Sequence, residues 1–329
     1  MENGHQHSVA SADLTSLGFS PREIADMARM RKRTSGLHVL SGRASSGTDV
    51  TMRTVLEEMI RDGKRAQDIH AIGMREAYEL PGIHHVPCHR DPDGVTRIGK
   101  VVEKSLHEDP DIIAMTEIVT SEFAKSAADA ASRGQAVWTT LHTGSALGIL
   151  DRLADLGVPN WQLADPTIIR GLVHQRRLSK ICRLCSITLR KGVENGRVDE
   201  TLAMQFCSLL MASPNDIHVR GRGCGHCVMG RAGETLVTET VIPDSYLLEL
   251  FNRGERNAMR EYWLDASNGL QGLPILHHAL MKAGAGICDI SDIEAEIGLL
   301  SEYERNCRHL AINLRSHAAK LIEIPDRKG

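Results

Sequence analysis

The stretch from Glu108 to Arg152, EDPDIIAMTEIVTSEFAKSAADAASRGQAVWTTLHTGSALGILDR, constrains this chain most. Ile112-Ile113-Ala114-Met115 is a short apolar run, the pattern of a strand buried on both faces, and Glu117 lies just past its end. Phe123, Ala127 and Ala131 then recur at helical spacing with Ala124 and Ala128 beside them, while Glu122, Lys125, Asp129 and Arg133 fall on the other side. Small residues on the inner face let such a helix lie close to a sheet, and Gly134 ends it. Ala136-Val137-Trp138-Thr139-Thr140 predicts a second strand, with His142 emerging past its end. The unit is βαβ, and ligands of parallel sheets bind beyond the carboxyl ends of the strands. Glu117 and His142 occupy corresponding positions there. A carboxylate and an imidazole brought together at that edge can hold a water and sense a phosphate.

The segment DPDIIAMTEI resembles the Walker B element of the ATPases of type II secretion and type IV pilus assembly. TTLHTGSALGILDRL resembles their His box with the helix that follows. The resemblance runs from about Leu14 to about Gly298. It implies an α/β fold, with a RecA-like P-loop NTPase core and parallel sheet followed by a tetracysteine zinc module and C-terminal helices. The expected divisions are a tail and linker helix over 1–34, the ATPase core over 35–180, the cysteine module over 181–230 and a helical region over 231–329. By resemblance, Glu117 would position or activate the attacking water and His142 would sense the terminal phosphate.

Leu37 to Leu40 predicts a strand, and Met52, Val55, Leu56 and Met59 a helix; the small-residue loop between them completes the P-loop layout. The spacing from Gly42 to Gly47 is correct. A P-loop then needs Lys for the phosphates and Ser or Thr for magnesium. Thr48 and Asp49 stand in those places. Thr48 brings no charge, and Asp49 sits where a helix N-terminus favours a bound anion. The resemblance makes Gly42, Ser45, Ser46, Gly47, Thr48, Asp49 and Val50 the nucleotide-binding positions, in degenerate form. Gly73 and Met74 stand where the family's Asp box carries carboxylates, with Glu76 out of register. Glu103 and His107 occupy places where the family has arginines, and Thr116-Glu117-Ile118-Val119-Thr120 keeps only the carboxylate among the polar members of its motif. The expectation is impaired or lost hydrolysis, with ATP and magnesium doubtful cofactors. An active ATPase with an unorthodox loop is the alternative.

Cys182-x2-Cys185 and Cys224-x2-Cys227 form two knuckles that together supply a tetrahedral thiolate cage, predicting structural zinc. Paired spacing in a chain without a secretory h-region favours metal over disulfides. All four positions are sulfur, so no catalytic zinc is expected. His226 is expected to face solvent, and Cys88, Cys207, Cys288 and Cys307 to be core or chance thiols. A helix is expected around Leu202 to Met211, further short ones at Tyr246–Phe251, Ala258–Ala266 and Ile275–Ala283, and Ser291 as an N-cap.

Near the start, Ser20, Pro21 and Glu23 read as N-cap, first helical residue and capping-box partner. Met27 and Met30 face the core; Arg29, Arg31, Lys32 and Arg33 read as a solvated helix end, with acidic lipid or a neighbouring subunit the alternative. Ile168, Leu172 and Val173 suggest an apolar helical face, and His174 a surface or half-buried helix residue.

A net charge of −3 gives no global pull toward nucleic acid or anionic lipid. No apolar run is long enough to span a bilayer. Aromatics are 3% of the chain, so Leu, Ile, Val, Met and Ala must build the core. The resemblance implies a homo- or hetero-hexamer at the cytoplasmic face of the inner membrane, with pilus or secretion platform components as partners and no direct nucleic acid. A zinc-containing nucleic-acid adaptor, using Arg177, Lys180, Arg183, Arg220 and Arg222, is the rival from another class.

Overall fold

The computed structural model describes residues 13–74, 80–88 and 98–307. They fall into two compact units. The first holds the residues up to Val173 together with Thr240–Trp263; the second holds His174–Glu239 and the residues from Leu264 on.

The strands in chain order are β1 (Gly36–Gly42), β2 (Ile69–Ile72), β3 (His84–Val86), β4 (Ile112–Glu117), β5 (Ala136–Leu141), β6 (Ile169–Ile181), β7 (Ile187–Thr188), β8 (His218–Val219) and β9 (Arg231–Val241). Seven of them form one sheet in the order β3-β2-β4-β5-β1-β6-β9. The pairs β1/β5, β5/β4, β4/β2 and β2/β3 are parallel. β6 and β9 each contribute residues to both units.

The expected βαβ unit is present. The helix Ser121–Ser132 buries Phe123, Ala124, Ala127, Ala128 and Ala131, and Thr120 caps it through the Phe123 N–H. Gly134 follows at φ +99°, a left-handed conformation that costs an L-residue strain. Trp138 is fully buried in β5 opposite His38 of β1, their rings stacked with centroids 4.4 Å apart. The helix Thr48–Arg61 buries Met52, Val55, Leu56 and Met59, the four residues its periodicity picked out.

The helix Pro21–Arg31 carries the expected capping box, with Ser20 accepting from the Glu23 N–H and Glu23 accepting from the Ser20 N–H. Its basic end is less wet than expected. The Arg31 side chain is only 9% exposed, where Glu58 of the helix Thr48–Arg61 and its C-cap Asp62 pair with it.

From Ile169 on this segment is strand β6 and not a helix, with Ile168 in the turn before it. Ile168, Leu172 and Val173 fit an i, i+4 pattern, but three positions cannot separate that period from an extended run. β-branched Ile169, at the start of β6, prefers the sheet. At Gly171 a Cβ would lie 2.6 Å from Met30 Sδ and 2.9 Å from His38 Nδ1, so the strand packs where a side chain would not fit. His174, as a strand residue, is fully buried.

In the second unit β7 and β8 pair antiparallel, and the helix Glu200–Leu210 is capped by Asp199 through the Leu202 N–H. Lys282 is buried; its ammonium donates to Thr235 Oγ1 at 2.7 Å and to the Leu236 carbonyl at 2.5 Å. Asp292 receives a two-bond contact from Arg231 at 2.7 and 3.2 Å. The N-cap of the helix Ile290–Glu296 is Asp289 and not Ser291, since the Asp289 carboxylate reaches the Ser291 N–H at 2.9 Å. A carboxylate two residues back completes an Asx turn that the Ser291 hydroxyl cannot make. Among the described residues no helix is long and apolar enough to cross a membrane.

Candidate functional site

β1 ends at Gly42, and the loop to the helix Thr48–Arg61 needs two left-handed residues, Ser45 at φ +64° and Gly47 at φ +82°. Gly47 is the N-cap, and no side chain caps this helix. The strand–loop–helix layout of a P-loop is therefore in place. Asp49 lies in the helix's first turn, its charge beside the N–H groups that would otherwise hold an anion.

Across the sheet edge, β4 and β5 set the other side. Ile112, Ile113 and Ala114 pair with Ala136, Val137 and Trp138, but Glu117 pairs with Thr140, so β4 holds one extra residue between Ala114 and Glu117. That bulge re-aims the end of the strand. β4 runs two residues past the apolar run ending at Met115, so Glu117 is its last residue and does not lie beyond it. Its Oε1 lies 3.0 Å from His142 Nε2, and His142 Nδ1 lies 2.9 Å from the Gly42 carbonyl. A carbonyl only accepts, so Nδ1 carries a proton. Nε2 then meets a carboxylate oxygen, and a hydrogen bond there requires a second, shared proton. His142 thus bridges the end of β4 to Gly42, the last residue of β1 before the loop.

Asp49, Met52, Met74, Met115, Thr116, Glu117 and Thr140 line a cavity of about 50 Å³. Two of these residues are carboxylates and three are methionines; none is Lys or Arg. Gly73 adopts φ +67°, and a Cβ there would press on Cys88 and Thr116 at 3.1 and 3.2 Å. Glu76 lies outside the described residues. The lining thus offers two carboxylates, the residue type that can hold magnesium, and no cationic side chain for phosphate oxygens.

The second site lies in the second unit. Cys182 follows β6 directly and its N–H donates to the Gly230 carbonyl at 2.8 Å, one residue before β9 begins. The sequential knuckles are brought together by two neighbouring strand ends. A Cβ at Gly221 would sit 1.8 Å from the Cys185 carbonyl oxygen, so only glycine lets the two loops close. The four sulfurs lie within 4.8 Å of one another, with 3.8 Å from Cys182 to Cys224, 3.7 Å from Cys185 to Cys227 and 3.7 Å from Cys224 to Cys227. A tetrahedral zinc with bonds of about 2.3 Å needs sulfurs ~3.8 Å apart. All four thiols are free of disulfides, and the donor set fits the ion. Burial pushes the Cys227 thiol up, but the Cys224 N–H, the Cys185 thiol and the Gly230 N–H outweigh it and bring it to about 7. His226 is exposed. Cys288 is buried, which drives its thiol up to about 12, while Cys88 and Cys207 are half-buried.

The basic residues near the knuckles are partly engaged. Arg177 pairs with Glu234 at 2.9 Å, and Arg220 lies 3.6 Å from Asp292.

The signature of the Type II/IV secretion system protein family matches residues 4–288. The chain is 27% identical over 282 residues to the type II secretion system protein E of Klebsiella pneumoniae, a match covering 85% of this chain and 52% of that protein. It is 29% identical over 231 residues to the protein transport protein HofB homolog of Escherichia coli K12, covering 70% and 46%. To the type IV pilus assembly ATPase PilB of Thermus thermophilus it is 26% identical over 284 residues, covering 86% and 30%. The chain thus spans about half the length, or less, of these relatives. Among solved structures, the pilus retraction motor PilT with bound ADP superposes with a TM-score of 0.59 at 17% identity, covering 90% of this chain and 70% of that one. The ATPase DotB of Legionella pneumophila gives 0.53 at 17% identity, covering 86% and 64%. At such identities the likeness speaks for the fold.

Proposed function

Because this chain belongs to the Type II/IV secretion system protein family, we propose that it is a motor-type subunit that hydrolyses ATP weakly or not at all. The lining of the loop cavity carries this reading: Asp49 and Glu117 face the same small space, and no cation lines it. Losing the P-loop ammonium and gaining a carboxylate are each worth roughly 4 kcal/mol at about 4 Å in a medium of effective dielectric near 20, before relaxation. Since about 1.4 kcal/mol is tenfold in affinity, even a quarter of that sum weakens triphosphate capture strongly.

In this reading the Glu117–His142–Gly42 link is a brace that holds the site's loops in register. The subunit acts within a homo- or hetero-hexamer, as scaffold or regulator, at the cytoplasmic face of the inner membrane beside secretion or pilus platform components. Zinc at Cys182, Cys185, Cys224 and Cys227 is structural: it would tie the ends of β6 and β9 together.

The experiment is ATP-analogue binding to the zinc-loaded chain beside a Thr48→Lys, Asp49→Ser double variant. The expected result is no saturation of the unaltered chain at millimolar nucleotide and at least tenfold tighter binding by the double variant. Micromolar capture by the unaltered chain, with turnover lost on Glu117→Gln, would establish the rival reading of an active ATPase, which the intact Glu117–His142 pair favours. The nucleic-acid adaptor has less support, since Arg177 and Arg220 already have carboxylate neighbours; it requires binding that falls steeply with salt.

A further inference from the structure

A second cluster of metal-ligating side chains lies in the first unit, at the outer strand pair β2 and β3 of the sheet. His70 of β2 and His84 of β3 are register partners in a parallel pair, so their side chains emerge on one face. Glu108 follows the helix Ile98–His107, whose Ser105 meets the His70 ring. The ligating atoms of His70, His84 and Glu108 all lie within 4.8 Å of one another. We propose that these three residues bind a divalent transition-metal ion of the zinc class.

Three observations support the assignment. The His70 ring is buried, and its Nδ1 lies 2.6 Å from the buried hydroxyl of Ser105. With Nδ1–H donating to Ser105, the lone pair is on Nε2, facing Glu108. Metal-binding histidines are held by such an outer partner, which fixes the tautomer and the ring. The gaps then have the size of an ion and not of a hydrogen bond. Glu108 Oε2 is 3.9 Å from His70 Nε2 and 3.7 Å from His84 Nε2. A charged pair that contacted directly would close to about 2.8 Å. Ligands around a tetrahedral zinc with bonds near 2.1 Å stand about 3.4 Å apart, so small side-chain movements complete the shell. Finally, the donor types are right: two imidazoles and one carboxylate suit zinc, nickel or copper better than magnesium or calcium. The His84 and Glu108 side chains are 52% and 44% exposed, leaving a fourth position open to solvent.

An ion here would tie β2 and β3 to the residues that feed β4, the strand whose far end carries Glu117. The site is therefore a staple at the β3 end of the sheet, the outermost strand among the described residues.

The test counts zinc by equilibrium dialysis of the untagged full chain at low micromolar Zn²⁺, with folding checked by circular dichroism. Five proteins are compared: unaltered, His84→Ala, Glu108→Ala, Cys185→Ser and the Cys185→Ser, His84→Ala double variant. His84 and Glu108 are exposed, so their variants should fold. The expected result is one zinc fewer per chain in His84→Ala and at least tenfold weaker edge-site binding in Glu108→Ala. The Cys185→Ser protein should keep an ion that disappears when His84→Ala is added. Equal zinc content and affinity in the unaltered chain, His84→Ala and Glu108→Ala would overturn the proposal. So would a count that falls only with the cysteine variant.

Discussion

Replacing His38 by Leu should free the first unit of an acid sensitivity that its core now carries. His38 is fully buried on β1, stacked on Trp138, with neither ring nitrogen hydrogen-bonded. Burial, with Arg170 and then Arg33 nearby, lowers its pKa from 6.5 to about 3. The folded unit therefore keeps this ring neutral, while the unfolded chain takes up a proton below about pH 6.5. Because the unfolded state binds more protons, stability is fully present above the unfolded value and is lost as pH falls from about 6.5 toward 3. At pH 5 the unfolded state gains about 2 kcal/mol from this one group, and at pH 7.5 almost nothing. Leu cannot titrate. Any packing penalty it brings is the same at both pH values, and the other histidines titrate alike in both proteins. The difference in unfolding free energy between His38→Leu and the unaltered chain should therefore shift by about 2 kcal/mol in favour of the variant between pH 7.5 and pH 5. Urea unfolding followed by tryptophan fluorescence measures it, since Trp138, Trp161 and Trp263 all belong to the first unit. A pH dependence identical in the two proteins would refute the reasoning, whatever the absolute stabilities.

Other outcomes follow from single contacts. Gly171→Ala should destabilise the first unit by about 1–3 kcal/mol, read as a lower urea midpoint, because the added methyl meets Met30 and His38 at 2.6 and 2.9 Å. Ser20→Ala removes the acceptor for the Glu23 N–H and should cost about 1 kcal/mol in the same assay. Chelation of zinc, or Cys227→Ser, should raise amide exchange around Cys182–Cys185 and Cys224–Cys227 by tenfold or more while leaving β4 and β5 protected; unchanged exchange at the knuckles would remove zinc from the account.

The sequence alone determined whatever rests on a local pattern. The apolar run before Glu117, the alanine face of Ser121–Ser132, the capping box at Ser20 and the two CxxC spacings are each written within about a dozen residues, and the fold keeps all of them. The ordered motifs also carried the family. What the sequence left open depends on neighbours far along the chain. Ile169 to Val173 lies in β6, where Gly171 packs against Met30 and His38, and no local period encodes that contact. Arg31 was drawn out of water by carboxylates on another helix. His70, His84 and Glu108 span 38 positions of sequence, and only strand pairing sets them on one face. The slip in β4 that sets Glu117 opposite Thr140 was equally invisible, because a bulge is a property of two strands and not of one. Local propensity fixes which element forms; which side chains share a cavity is fixed by pairing register and close packing, and these exist only in the folded chain.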